Sequence, residues 1–146
     1  MAQLRVELII LPPVFCPLLA RALSGGRRFG DVYDRPAPLQ PPGWVFGPVW
    51  TALYTMLGYC LALAVRGGDD LAPEAPWAML LLLALNVAWT PLFLRGWVRL
   101  ALALLLAMVA QAWHTGAESA ALRPWLAPYI AWLCFAALLN LTYALR

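Results

Sequence analysis

Residues 44–65 read WVFGPVWTALYTMLGYCLALAV, a run with no charged side chain. At about 1.5 Å per residue, a helix of this length crosses the roughly 30 Å hydrocarbon core of a bilayer. Charges placed in that core cost several kcal/mol, so charge-free intervals are the direct guide to spans. Working outward, the same test selects residues 75–94, 100–117 (with His114 neutral) and 124–145. A further run at 4–23 is weaker, because Glu7 and Arg21 intrude and Pro12, Pro13 and Pro17 interrupt it. A signal peptide is the alternative there: a short basic start, an apolar run, then small residues. Glu7 and the three prolines argue against it, and a kinked span with Glu7 and Arg21 snorkelling is expected instead. The expected fold is all-α: one domain over residues 1–146, a five-transmembrane-helix up-down bundle.

Composition agrees. Of 146 residues, 64% are hydrophobic and 12% charged, against roughly 45–50% and about 25% in soluble domains. With a mean hydropathy of +0.75, a water-facing surface cannot be built, which excludes a soluble enzyme and a disordered tail. The net charge of +3 comes from ten arginines, no lysine and seven acids. The arginines stand singly or in pairs between apolar runs, as membrane-flanking anchors rather than a nucleic-acid stripe. Cys16, Cys60 and Cys134 all fall in apolar runs without a CxxC spacing, and read as small buried hydrophobes.

Residues 24–43 form the one long connection, closing on Arg35-Pro36-Ala37-Pro38-Leu39-Gln40-Pro41-Pro42-Gly43. Its prolines fix φ and remove donors, giving a stiff, extended strap suited to act as a lid. Five spans place Arg21, Arg27, Arg28, Arg35, Arg95, Arg99 and Arg146 on one side and Arg5, Arg66 and Arg123 on the other. The positive-inside rule then puts the first loop and the C-terminus in the cytoplasm.

Eight tryptophans divide by depth. Trp44, Trp77, Trp97, Trp113 and Trp125 lie near span ends, at the level of an interfacial aromatic belt. Trp50, Trp89 and Trp132 lie deeper. Trp50 enters about 9 Å from the strap side, and Trp89 and Asn140 reach about 8 Å from it. Asn86 sits one turn deeper than Trp89, Tyr54 one turn below Trp50, and Asn140 shares a face with Trp132 and Ala136 by i, i+4, i+8 spacing. Two readings are open. The asparagines join neighbouring helices while the indoles merely pack, or the layer is a ligand pocket with flat aromatic walls, few polar anchors and a stiff lid.

Three ordered segments carry a resemblance: Pro41-Pro42-Gly43-Trp44-Val45-Phe46-Gly47-Pro48-Val49-Trp50-Thr51-Ala52-Leu53-Tyr54, then Asn86-Val87-Ala88-Trp89-Thr90-Pro91-Leu92-Phe93, then Pro128-Tyr129-Ile130-Ala131-Trp132 through Leu139-Asn140. Together they resemble the tryptophan-rich sensory protein/translocator protein family (TspO/MBR, peripheral benzodiazepine receptor-like). The resemblance implies a five-helix membrane protein, commonly a homodimer, that binds porphyrins such as protoporphyrin IX, haem-like or sterol-like molecules beneath the first loop. It places Trp50 and Trp132 on the ligand, where bacterial members are linked to light- and oxygen-dependent porphyrin breakdown, and completes the wall with Tyr54, Asn86, Trp89, Ala136 and Asn140. Arg35, Pro41, Pro42 and Trp44 would belong to the lid. Arg35-Pro36 stands where Lys-Pro is usual, and Phe29 and Tyr33 flank the place of the family's loop tyrosine.

The expectation is therefore a porphyrin-binding receptor or sensor in a bacterial cell membrane, with no cofactor required beyond that ligand, and partners limited to bilayer lipid, the small molecule and a second copy. The alternatives are a porphyrin-degrading activity through Trp50 and Trp132, and a transporter of tetrapyrroles or sterol-like lipids. Leu141, Tyr143 and Arg146 satisfy a permissive cholesterol-motif pattern, although a tyrosine and an arginine at a helix end also serve as interface anchors. The lone His114 lies near a span end and reads as interfacial rather than as a haem ligand. Hydrolytic motifs, phosphate-binding loops and metal-ligand spacings are missing from the sequence.

Overall fold

A computed structural model describes residues 5–28 and 39–146 of the chain. Among them are five helices: α1 (Glu7–Leu23), α2 (Gly43–Arg66), α3 (Ala75–Leu94), α4 (Val98–Glu118) and α5 (Arg123–Ala144). The expected helix count is met. Arg35, with most of the proline-rich strap, lies outside the described residues.

Helix ends fall where local chemistry puts them. Pro42 precedes α2 in an extended conformation, and prolines occupy the opening turns of α3 and α5, where a missing N–H costs nothing. Gly67 and Gly96, both at positive φ, follow the ends of α2 and α3. Arg123 donates through Nε to Gly116 O at 3.1 Å and through Nη2 to Ala117 O at 3.3 Å, covering carbonyls at the end of α4. The helices run one or two residues past three of the expected spans because arginines sit comfortably at their ends.

Four helices, α2 to α5, are long and apolar enough to cross a membrane. Helix α1 is not one of them: at 17 residues it reaches about 25 Å. It begins at Glu7, inside the expected 4–23 span, and continues through Pro12, Pro13 and Pro17. Its outward face carries Ile10, Val14, Phe15 and Leu18, a surface suited to hydrocarbon rather than water.

Helix α1 packs on α2 and α3; α2 also meets α3 and α5, and α4 lies between α3 and α5. The α1–α2 contact depends on Gly58, where an added Cβ would collide with the Leu8 carbonyl and lie 3.0 Å from Ile9 Cα. Arg95 Nη2 donates to Leu23 O at 3.0 Å, joining the α3–α4 turn to the end of α1. The 67–74 and 119–122 connections meet each other, through Ala72 N donating to Ser119 Oγ at 3.1 Å.

The filled core lies between the C-terminal half of α2, the start of α3, the middle of α4 and the first half of α5. Leu57, Met79, Leu82, Leu105, Met108, Leu126 and Leu133 are among its fully buried members. One sequence expectation fails here: Cys60 is buried, but Cys134 faces outward and Cys16 is half-buried. An apolar residue in a span contacts lipid as readily as core, so apolar context alone does not fix its direction.

Candidate ligand-binding site

The other half of the bundle is hollow. The start of α2, the end of α3 and the C-terminal half of α5 surround a cavity of about 330 Å³. Trp50 from α2, Trp89 from α3 and Trp132 from α5 form its walls, with Ala136 and Asn140 continuing the α5 side. Trp50 is central. Its ring lies 6.2 Å from Trp89, tilted by 30°, and 6.4 Å from Trp132, edge-on at 90°. These separations fall within the range of favourable aromatic pairs. They also keep the three helices apart, since bulky indoles occupy the places where close-packed membrane helices use Gly or Ala.

Depth and exposure divide the tryptophans in the same way. The five near span ends are 43–76% exposed, whereas Trp50, Trp89 and Trp132 turn inward onto the core. At the opposite end of α5, Trp125 meets Tyr59 edge-on at 4.8 Å.

Two residues expected in the wall sit behind it. Tyr54 is buried one turn below Trp50, with ring centroids 5.6 Å apart, and supports that indole from beneath. Asn86 donates through Nδ2 to Tyr129 Oη and to Leu82 O, each at 2.7 Å, and so joins α3 to α5. Asn140, which does line the cavity, behaves differently. It is 1% exposed, and neither Nδ2 nor Oδ1 has a partner; the indole Nε1 groups of Trp89 and Trp132 are likewise buried without one. An unmatched buried polar group costs about 1–3 kcal/mol. Four such atoms belong to residues that line one apolar hollow, and a small turn of these side chains offers them to a guest's polar groups.

Of the expected lid residues, Trp44 is directed outward and lies outside the cavity lining, as do Pro41 and Pro42. Their neighbours Gln40 and Gly43 reach the cavity instead. Tyr143 Oη donates to Gln40 Oε1 at 2.6 Å, and the Arg146 guanidinium lies 4.9 Å from the Tyr143 ring centroid. The end of α5 therefore fastens the segment that leads into α2. This also redirects the sterol-pattern residues: Leu141 is 39% exposed while Tyr143, two positions on, is 7% exposed and lines the cavity. Residues i and i+2 of a helix point to different faces, so the three do not share one lipid-facing surface.

Sequence reading missed Gln40, Phe46, Thr90, Phe93, Leu139 and the inward direction of Tyr143. A signal existed for two. Phe46 lies one turn before Trp50 and Phe93 one turn after Trp89, the latter stacked on it at 5.2 Å. His114 lies apart, 3.4 Å from Glu118 Oε1, beside a shallow hollow that also touches Glu74 and Trp77.

A sequence profile described as the TspO/MBR family matches residues 9–146. Among proteins of known name, the Translocator protein of Bos taurus is 38% identical over 113 residues, covering 70% of this chain and 66% of that protein, just under two thirds of its length. The Translocator protein of Homo sapiens is 34% identical over 142 residues, 90% of this chain and 82% of the human one. The Tryptophan-rich protein TspO of Archaeoglobus fulgidus is 34% identical over 109 residues, 68% of each chain. The profile takes in α2 to α5 whole, with the indoles of the cavity, and these four helices have the length and composition to span a bilayer. The chain is an integral, multi-pass membrane protein and belongs to the TspO/MBR family.

Proposed function

We propose that this protein is a membrane receptor for a flat, largely apolar tetrapyrrole, of the protoporphyrin IX class, held between Trp50, Trp89 and Trp132. The observation that carries this reading is the convergence of three indoles from three helices on one hollow, whose lining residues also hold four unmatched polar atoms. Aromatic faces suit a conjugated ring, and the indole N–H groups with the Asn140 carboxamide suit its few polar atoms. In this reading the helices run up and down, residues 24–43 cover the cavity as a lid, and the arginine bias places that lid and the C-terminus in the cytoplasm. Association into a homodimer would use small residues that face outward, such as Ala103 and Ala107 on α4.

The test is porphyrin binding by the purified protein in neutral detergent, followed by tryptophan quenching. Replacing both Trp50 and Trp132 by Phe removes two large contact faces worth about 0.5–1.5 kcal/mol each, a loss of roughly five- to 150-fold in affinity. The control pair Trp44→Phe and Trp113→Phe, on outward-facing indoles, leaves affinity unchanged. Equal binding by wild type and the Trp50/Trp132 variant refutes the reading.

One observation favours a second reading, oxidative breakdown of the bound porphyrin in light and dioxygen. Trp50 is in ring contact with Tyr54, Trp89 and Trp132, so the radical cation left when its indole gives an electron to the excited ligand is spread over neighbouring rings, while dioxygen takes the extra electron from the reduced ligand. Illumination that yields the same products as free porphyrin in solution rejects it.

A further inference from the structure

Tyr143 stands between two cavities. It lines the aromatic cavity beside Phe93 and Asn140, and it also lines a second hollow of about 400 Å³, together with Gly96, Trp97, Arg99 and Leu100. The ring is held by its bond to Gln40, by the edge of Phe93 at 5.7 Å and by the Arg146 guanidinium.

The two hollows differ in chemistry. The first is walled by indoles and aliphatic side chains. The second is polar on one side: among the described residues Arg99 lines it and no carboxylate does. Helix α4 begins there with Trp97 at its N-cap and no side-chain cap, so first-turn N–H groups add partial positive charge. Arg99 makes no ion pair among the described residues. Size points the same way. At about 330 Å³ the aromatic cavity lies at the small end of the roughly 300–1,000 Å³ found for ligand sites, and a macrocycle of four pyrroles with its side chains exceeds it. Asn140, buried with both carboxamide atoms unmatched, lies one turn before Tyr143 on α5 and lines the aromatic cavity next to it.

We infer that the two cavities form one composite site for a flat apolar ring carrying a carboxylate. The ring occupies the aromatic cavity, and the carboxylate lies in the second hollow against Arg99 and the first turn of α4. Tyr143 is the partition, and it swings aside when its bond to Gln40 is released. This rests on the ring-binding reading above and adds the ligand's charge, its direction and its entry side.

The experiment compares protoporphyrin IX with its dimethyl ester, the same ring without the two negative charges, on the full chain in lipid-free neutral detergent. Wild type binds the acid about tenfold more tightly than the ester, the scale of one charge-assisted hydrogen-bonded pair. Arg99→Gln loses that preference and keeps wild-type affinity for the ester, which also shows that it folds. Arg95→Gln removes the same charge from a residue engaged elsewhere, with Leu23 O, and keeps the preference. Tyr143→Phe speeds both binding and release. Full preference in Arg99→Gln, or equal loss in both arginine variants, overturns the inference. Equal binding of acid and ester by wild type also overturns it while leaving the ring-binding reading intact; binding of neither removes both. Added anionic lipid leaves the preference in place; if it abolishes the preference, the hollow takes a lipid phosphate and the inference is wrong.

Discussion

Asn86 and Asn140 are both carboxamides buried at similar depth, and exchanging each for leucine should change stability in opposite directions. Asn86 makes two hydrogen bonds of 2.7 Å. Asn86→Leu removes both and strands the Tyr129 phenol, which is completely buried. An interhelical bond in a membrane contributes about 0.6 kcal/mol, up to about 1.7, and a stranded polar group costs about 1–3 kcal/mol. Relief of the unmatched Asn86 Oδ1 offsets part of this, leaving a net loss of about 1–2 kcal/mol. Asn140 has two unmatched atoms and no bond to lose. Leucine there has the same branched four-atom side chain, fits its extra bulk into the adjoining cavity and removes the mismatch, so the ligand-free protein gains about 1–2 kcal/mol, or roughly 2–8 °C in melting midpoint. The same substitution weakens porphyrin binding. Thermal unfolding in detergent, read by intrinsic fluorescence without ligand, gives both signs. If Asn140→Leu destabilises as much as Asn86→Leu, Asn140 is a helix-joining residue like its counterpart, and the polar part of the site argument falls.

Gly58→Ala forces α1 away from α2 and costs about 1–3 kcal/mol, whereas Gly47→Ala in the same helix meets nothing within 4 Å and gains up to about 1 kcal/mol in helix propensity; paired melting curves separate the two. Arg123→Gln uncovers the Gly116 and Ala117 carbonyls, costing about 0.3–1 kcal/mol, and hydrogen exchange shows faster fraying confined to the last turn of α4. For orientation, a cysteine at Gly68 reacts with an impermeant maleimide in intact cells, and one at Gly96 reacts only after the membrane is opened; the reverse pattern inverts the topology.

Much of this architecture was legible in the sequence because lipid imposes simple rules. Charge-free runs located α2 to α5 to within two residues, and depth alone separated Trp50, Trp89 and Trp132 from the outward-facing indoles. What depth cannot supply is the neighbour. Asn86 and Asn140 look alike along the chain, and only the position of Tyr129 across the α3–α5 contact makes one a bonded strut and leaves the other unmatched. Gly58 gave no signal, because its requirement arises from the backbone of α1 at Leu8. Tyr143 read as an interface anchor from its place near the helix end, yet its rotational position on α5 turns it inward to Gln40. Helix α1 starts later than the expected span because its apolar run, interrupted by Glu7 and three prolines, shows no sharp start.

The most direct measurement uses a protein in which Trp44, Trp77, Trp97, Trp113 and Trp125 are all replaced by Phe, so that only the three cavity indoles fluoresce. Titration with protoporphyrin IX should quench that emission saturably, with one porphyrin bound per chain. Quenching that rises linearly with porphyrin and never saturates, as for a dye partitioning into the micelle, would contradict the presence of a ring-binding site between α2, α3 and α5.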